Sequence, residues 1–154
     1  MKKQKNILVS TFFIIIFILI VFFTYFNPFA IGDEFWNFQN IYKMYNGAII
    51  YKEANVIITP LFFEIGDLLF HLLGANIFTF RLYNVIIYTF KIILLFVIFR
   101  KFDITKKLIV LYISLFLTFE ISYIGCGANY NQLAIVFALM RYFNIYYLLS
   151  KKIL

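Results

Sequence analysis

Ile7 to Phe26 is an unbroken run of 20 residues without a charge. A helix of that length rises about 30 Å, the thickness of the hydrocarbon layer of a bilayer. Three further apolar stretches follow, at Ile77 to Phe99, Leu108 to Ile124 and Leu133 to Leu149. With 64% hydrophobic and only 14% charged residues, the chain lacks the polar side chains that cover a water-soluble surface, where about 25% charge is ordinary. The pattern predicts an all-α integral membrane protein with about four transmembrane helices, at 7–26, 77–99, 108–124 and 133–149. Residues 27–76 form one long outer loop carrying interfacial helices, and 1–154 is a single membrane region.

Charge placement orients these spans. The net charge is +7, and nine of the fourteen basic residues fall in three clusters between the apolar runs. These are Lys2, Lys3 and Lys5, then Arg100, Lys101, Lys106 and Lys107, then Lys151 and Lys152. Basic residues collect on the cytoplasmic side of spans, so both termini are expected inside a multi-pass protein of the cell membrane. Clusters of this kind leave no continuous basic groove, which excludes nucleic acid as a partner. The first run exceeds the apolar region of a signal peptide, and Ala30-Ile31-Gly32 is a poor cleavage site. With one histidine and one cysteine, Cys126, the chain has no Cys/His metal spacing and no intrachain disulfide.

The outer loop is the long polar segment. Asn27-Pro28 stops the first helix, because proline lacks a donor and disfavours helical geometry in its predecessor. Glu34 to Tyr45 is expected as a short interfacial helix ended by Asn46-Gly47. Pro60 to Leu73 is apolar but too short to span. On a helix, Glu64, Asp67 and His71 share an arc of about 60°, with Phe62, Phe63, Leu69, Phe70 and Leu73 opposite. Such a helix lies in the outer interface or lines a polar cavity there. His71 is expected on its polar face, with metal ligation as the other reading.

Charges within the spans need partners, since one left alone near the bilayer centre costs several kcal/mol. Arg81 is expected to pair with Asp67 or Glu64, or to meet a lipid phosphate. Lys91 is expected to snorkel inward, and Glu120 and Arg141 to form a buried ion pair.

The order of motifs carries a resemblance. One span, then Gly32-Asp33-Glu34, then Thr59-Pro60-Leu61, then Gly74 with Arg81 seven residues on, resembles the N-terminal part of the polyprenyl-phosphate-sugar glycosyltransferases. These are the integral-membrane GT-C enzymes related to protein mannosyltransferases and to the aminoarabinose transferases of lipid A. In that family an acidic Asp, commonly followed by Glu, lies just after the first span, and a Gly-aromatic-Arg pattern enters the second. Gly74 to Arg81 matches the latter, while Thr59 stands where many members carry a basic residue and Asn131 where many carry another acid. Members are much longer, so the chain corresponds to the front part of one or to a truncated relative.

The resemblance implies transfer of a sugar from a polyprenyl-phosphate donor to an acceptor on the outer face. Such chemistry needs a carboxylate to orient or deprotonate the acceptor hydroxyl, and cationic groups or a divalent cation to hold the departing phosphate. Asp33 is then the catalytic residue; the alternative for it is a solvated turn residue or a helix N-cap. Glu34, Lys52, Arg81 and Asn131 are the substrate-binding candidates, and no metal ligand is assigned. The implied partners are membrane lipids, the donor, and the rest of the enzyme or a partner membrane subunit. The competing class is a small non-catalytic four-span protein, a subunit or flippase-like helper for lipid-linked sugars. The long outer loop separates the two, because a minimal helper needs only short connections.

Overall fold

The computed structural model describes residues 2–27, 32–53, 60–102, 104–124 and 127–153. Thr59, Asp103 and Cys126 lie outside the described residues. The described residues form six helices and no strand: α1 (Lys2–Phe26), α2 (Asp33–Tyr45), α3 (Leu61–Leu73), α4 (Ile77–Lys101), α5 (Lys106–Ile124) and α6 (Tyr130–Ile153).

Local chemistry sets the helix limits. Gly32, at φ 127°, turns the chain into α2, whose first turn carries Asp33 and Glu34 against the exposed backbone N–H groups. Asn46 ends α2 with its backbone N–H on the carbonyls of Tyr42 and Lys43. Pro60 precedes α3, where a missing donor costs nothing, and Gly74 closes it at φ 93°. The Asn76 side chain accepts from the Thr79 N–H at 2.9 Å and so caps α4. The helix expected from Glu34 begins one residue earlier, with Gly32 as its N-cap, so Asp33 is a first-turn residue and not the cap.

α4 is the hub, packing against α1, α3, α5 and α6, while α2 lies on α3 and α1 also touches α5. Two cores result. One joins α2, α3 and the first half of α4 through Ile41, Phe62, Phe63, Phe70, Phe80 and Tyr83. The other joins α1, α4 and α5 through Ile16, Ile20, Val85, Tyr88, Ile92 and Ile113. Gly66 lets α2 and α3 approach closely, since a Cβ there would run into the Ile41 side chain.

α4 is long and apolar enough to cross a membrane, and α1 and α5 contain shorter apolar helical stretches, Ser10–Phe26 and Leu108–Leu117. Large apolar side chains stand exposed along α1, among them Ile14, Phe17, Ile18 and Phe22. α3 buries Phe62, Phe63 and Phe70 and leaves Glu64 and His71 outside, as its phase requires. Leu73, expected on the packed face, is instead exposed, because the helix ends there and Gly74 turns the chain away.

Candidate functional site

α4 carries four polar residues at i, i+3, i+7 and i+10: Arg81, Asn84, Tyr88 and Lys91. At 100° per residue they fall within an arc of about 80°, and all four are buried. Polar groups withdrawn from water must find partners: Arg81 reaches Glu34, Asn84 donates to Thr24 Oγ1 at 3.4 Å, and Tyr88 and Lys91 share Glu120.

Arg81 is 7% exposed and Glu34 is 1% exposed. The Arg81 Nε donates to Glu34 Oε1 at 3.1 Å, an ion pair between residues 47 apart in sequence. The Arg81 Nη1 donates to the carbonyls of Tyr25 at 3.2 Å and Asn27 at 3.0 Å, at the end of α1. These carbonyls are the acceptors a terminating helix leaves over, so the guanidinium also caps α1. The Arg81 Nη2 is buried without a hydrogen-bond partner among the described residues. An open cleft of about 410 Å³, lined by Phe35, Phe38, Ile77 and Arg81, adjoins this cluster. The pairing expected with Asp67 or Glu64 does not form. α3 turns its phenylalanine face inward and leaves Glu64 exposed, while the half-buried Asp67 has its Oδ1 3.3 Å from His71 Nδ1, one turn along the same helix.

α2 buries polar side chains beside its apolar contacts. Its buried residues are Glu34, Asn37, Asn40 and Ile41, whereas Phe35, Tyr42 and Tyr45 are exposed. Asn37 Nδ2 donates to the Ala128 carbonyl at 3.3 Å, and Asn37 Oδ1 is buried without a partner among the described residues. Gly127, at φ 71°, lies against Glu34, where a Cβ would come within 2.6 Å of Oε1. The turn before α6 is therefore pressed onto the same carboxylate that holds Arg81.

Farther along α4, Lys91 is fully buried and donates to Glu120 Oε2 at 3.1 Å and to Gln132 Oε1. Tyr88 donates to the same Glu120 oxygen at 3.1 Å, and the ammonium lies 4.3 Å from the Tyr88 ring centroid. Two expectations are corrected here. Lys91 does not snorkel inward, because an acceptor on α5 and another on α6 are within its reach. Glu120 pairs with Lys91 and not with Arg141, which is exposed, because α5 and α6 each dock on α4.

Of the five residues singled out in the sequence, Glu34 and Arg81 are in direct contact. Asp33 is exposed on the first turn of α2, beside Glu34. Asn131 is exposed on the first turn of α6, with its N–H on Asn129 Oδ1 at 2.8 Å. Lys52 is exposed in the turn after Ile50 and takes no part in the cluster. Asn37, Gly127 and Gln132 escaped the sequence reading. The spacing of Glu34, Asn37 and Asn40 along one face of α2 was the available signal for the first of these.

In chemical terms, the exposed carboxylate of Asp33 stands one residue before Glu34, whose buried carboxylate holds a guanidinium with Nη2 unpartnered among the described residues. Among the described residues no group of three or more His, Cys, Asp or Glu side chains is arranged to hold a metal ion. No protein-family model, curated protein or solved structure matches the chain.

Proposed function

We propose that this chain is the front part of a GT-C-like membrane glycosyltransferase that takes a sugar from a polyprenyl-phosphate donor at the outer face of the membrane. On this reading α1, α4, α5 and α6 cross the bilayer with both termini inside, and α2 and α3 lie at the outer interface. The exposed apolar residues of α1 support a lipid-facing surface, since exposed apolar patches of this kind are rare on soluble monomers.

The observation that carries the reading is the state of Arg81. Its guanidinium is buried, held by Glu34 and two helix-end carbonyls, and keeps Nη2 without a partner among the described residues beside an open cleft. A buried donor left unsatisfied costs about 1–3 kcal/mol, and a phosphate oxygen is a strong acceptor for it. Glu34 then orients Arg81, and Arg81 holds the lipid phosphate. Asp33 takes the proton of the acceptor hydroxyl as its oxygen bonds to the sugar carbon, and the bond from that carbon to the phosphate oxygen breaks. Lys52 and Asn131 are outer contacts to the donor or acceptor.

Transfer from a polyprenyl-phosphate sugar is to be measured in membranes of cells expressing the protein from its own locus, so that any partner chain is present. Asp33→Asn is expected to lower transfer by about 10² to 10⁴ fold, the usual effect of removing a general base. Glu53→Gln, a carboxylate in the same loop that instead accepts from the Ile49 N–H, is expected to leave it unchanged. Equal activity of the two variants would transfer support to the non-catalytic helper.

A further inference from the structure

The contacts of Lys91 form part of a closed circuit. α4 contributes both Arg81 and Lys91, about 15 Å apart along the helix. Lys91 reaches Gln132 on the first turn of α6. Gln132 in turn is joined to the preceding turn, its N–H donating to the Asn129 carbonyl at 3.1 Å. That turn lies on α2, with Gly127 against Glu34 and the Ala128 carbonyl on Asn37. Glu34 returns the circuit to α4 at Arg81.

We infer that Lys91 and Gln132 are positioning residues: their hydrogen bond, deep in the bundle, seats the 127–131 turn on α2 and thereby sets the place of Glu34 and Asn131. The division of labour at Lys91 supports this. Glu120 already neutralises its charge, and Tyr88 shares that carboxylate, so Gln132 is not required as a counterion. What Gln132 adds is a tether between α4 and the start of α6. Gln132 is 5% exposed, and a buried amide there would be costly without its partner. Gly127 accounts for the need of such a tether. A side chain would be driven into Glu34, so only a bare backbone is able to close on the carboxylate; the hydrogen bonds of Asn37 and Gln132, with the buried Ala128 beside it, hold it there.

The positioning role extends the proposed site but is tested without any donor, so failure of one does not decide the other. Hydrogen exchange is to be followed in the full chain in lipid nanodiscs, at the amides of Asn131, Gln132 and Leu133, which all bond to Asn129. Gln132→Leu keeps the Lys91–Glu120 pair and removes only the tether. It is expected to speed exchange at these amides by about tenfold or more, the scale of one hydrogen bond to a charged group, while α4 and α5 exchange as before. Gln132→Glu, which retains an acceptor for Lys91, is expected to restore slow exchange. Unchanged exchange in Gln132→Leu would overturn the inference, as would loss of protection spread evenly over all helices, or loss in Gln132→Glu as large as in Gln132→Leu.

Discussion

Arg81 ties α4 to the end of α1 and the start of α2, 47 or more residues earlier, and the cost of removing it follows from what stays behind. Arg81→Met leaves the Glu34 carboxylate buried without its guanidinium, a change that typically destabilises by about 3–5 kcal/mol. Glu34→Gln combined with Arg81→Met removes both charges and is expected to recover most of that loss. Trp36, the single tryptophan, sits two residues from Glu34 and packs edge-on to Phe63 at 5.9 Å, so its emission reports the loosening of α2 directly. Thermal midpoints of the single and double variants that coincide would show that the pair carries no such burden. The same logic separates Asp33 from Glu34. They are neighbours in sequence, but successive residues point about 100° apart on a helix, so one is exposed and the other is covered by Gly127.

α3 shows how one helix serves three environments. Phe62, Phe63, Gly66 and Phe70 face the bundle, Glu64 and His71 form an exposed polar edge, and Leu61, Leu68 and Leu72 make an exposed apolar edge beside it. On the proposed reading, a helix with this division rests at a lipid–water boundary, with its apolar edge in lipid. Spin labels placed by Glu64→Cys and His71→Cys, in a Cys126→Ser background, are expected to meet a polar relaxant. Labels from Leu68→Cys and Leu72→Cys are expected to meet oxygen dissolved in lipid. Identical accessibility at all four positions would exclude an interfacial α3. α2 differs because it buries Glu34, Asn37 and Asn40 beside Ile41, closing over polar groups as well as over the apolar core.

For the whole molecule, the arrangement around α4 and the basic clusters leads to a test of orientation. Gln39 and Asn131 are exposed near the candidate site, and Lys101 is exposed at the far end of α4. In a Cys126→Ser background, Gln39→Cys and Asn131→Cys are expected to react with an impermeant maleimide on intact cells. Lys101→Cys is expected to react only after permeabilisation, in keeping with the basic cluster it belongs to. Reaction of Lys101→Cys in intact cells would invert the topology. Asn40, although in the same loop, is unsuited to such labelling because it is buried, with its amide on the Trp36 carbonyl at 2.9 Å.

Helix positions were legible in the sequence because the signals that set them are local. Uncharged runs, Asn46-Gly47, Pro60 and Gly74 marked the helices to within a few residues, and the phase of Glu64 and His71 picked out the exposed polar edge of α3, with Asp67 half-buried beside it. Asp33 and Glu34 were also recognisable as a pair of acids at the start of a loop helix. The partners of the charges were not. Glu34 with Arg81 spans 47 residues and Lys91 with Glu120 spans 29, and periodicity tells which residues share a helix face without telling which faces meet. That choice depends on the rotation and docking of whole helices. Once α4 stood between α5 and α6, Lys91 was the cation within reach of Glu120, and Arg141 was left outside. A buried polar residue contributes favourably only in the one packing that satisfies it, so the tertiary structure alone decided how the α4 stripe and the inward face of α2 came to form one site.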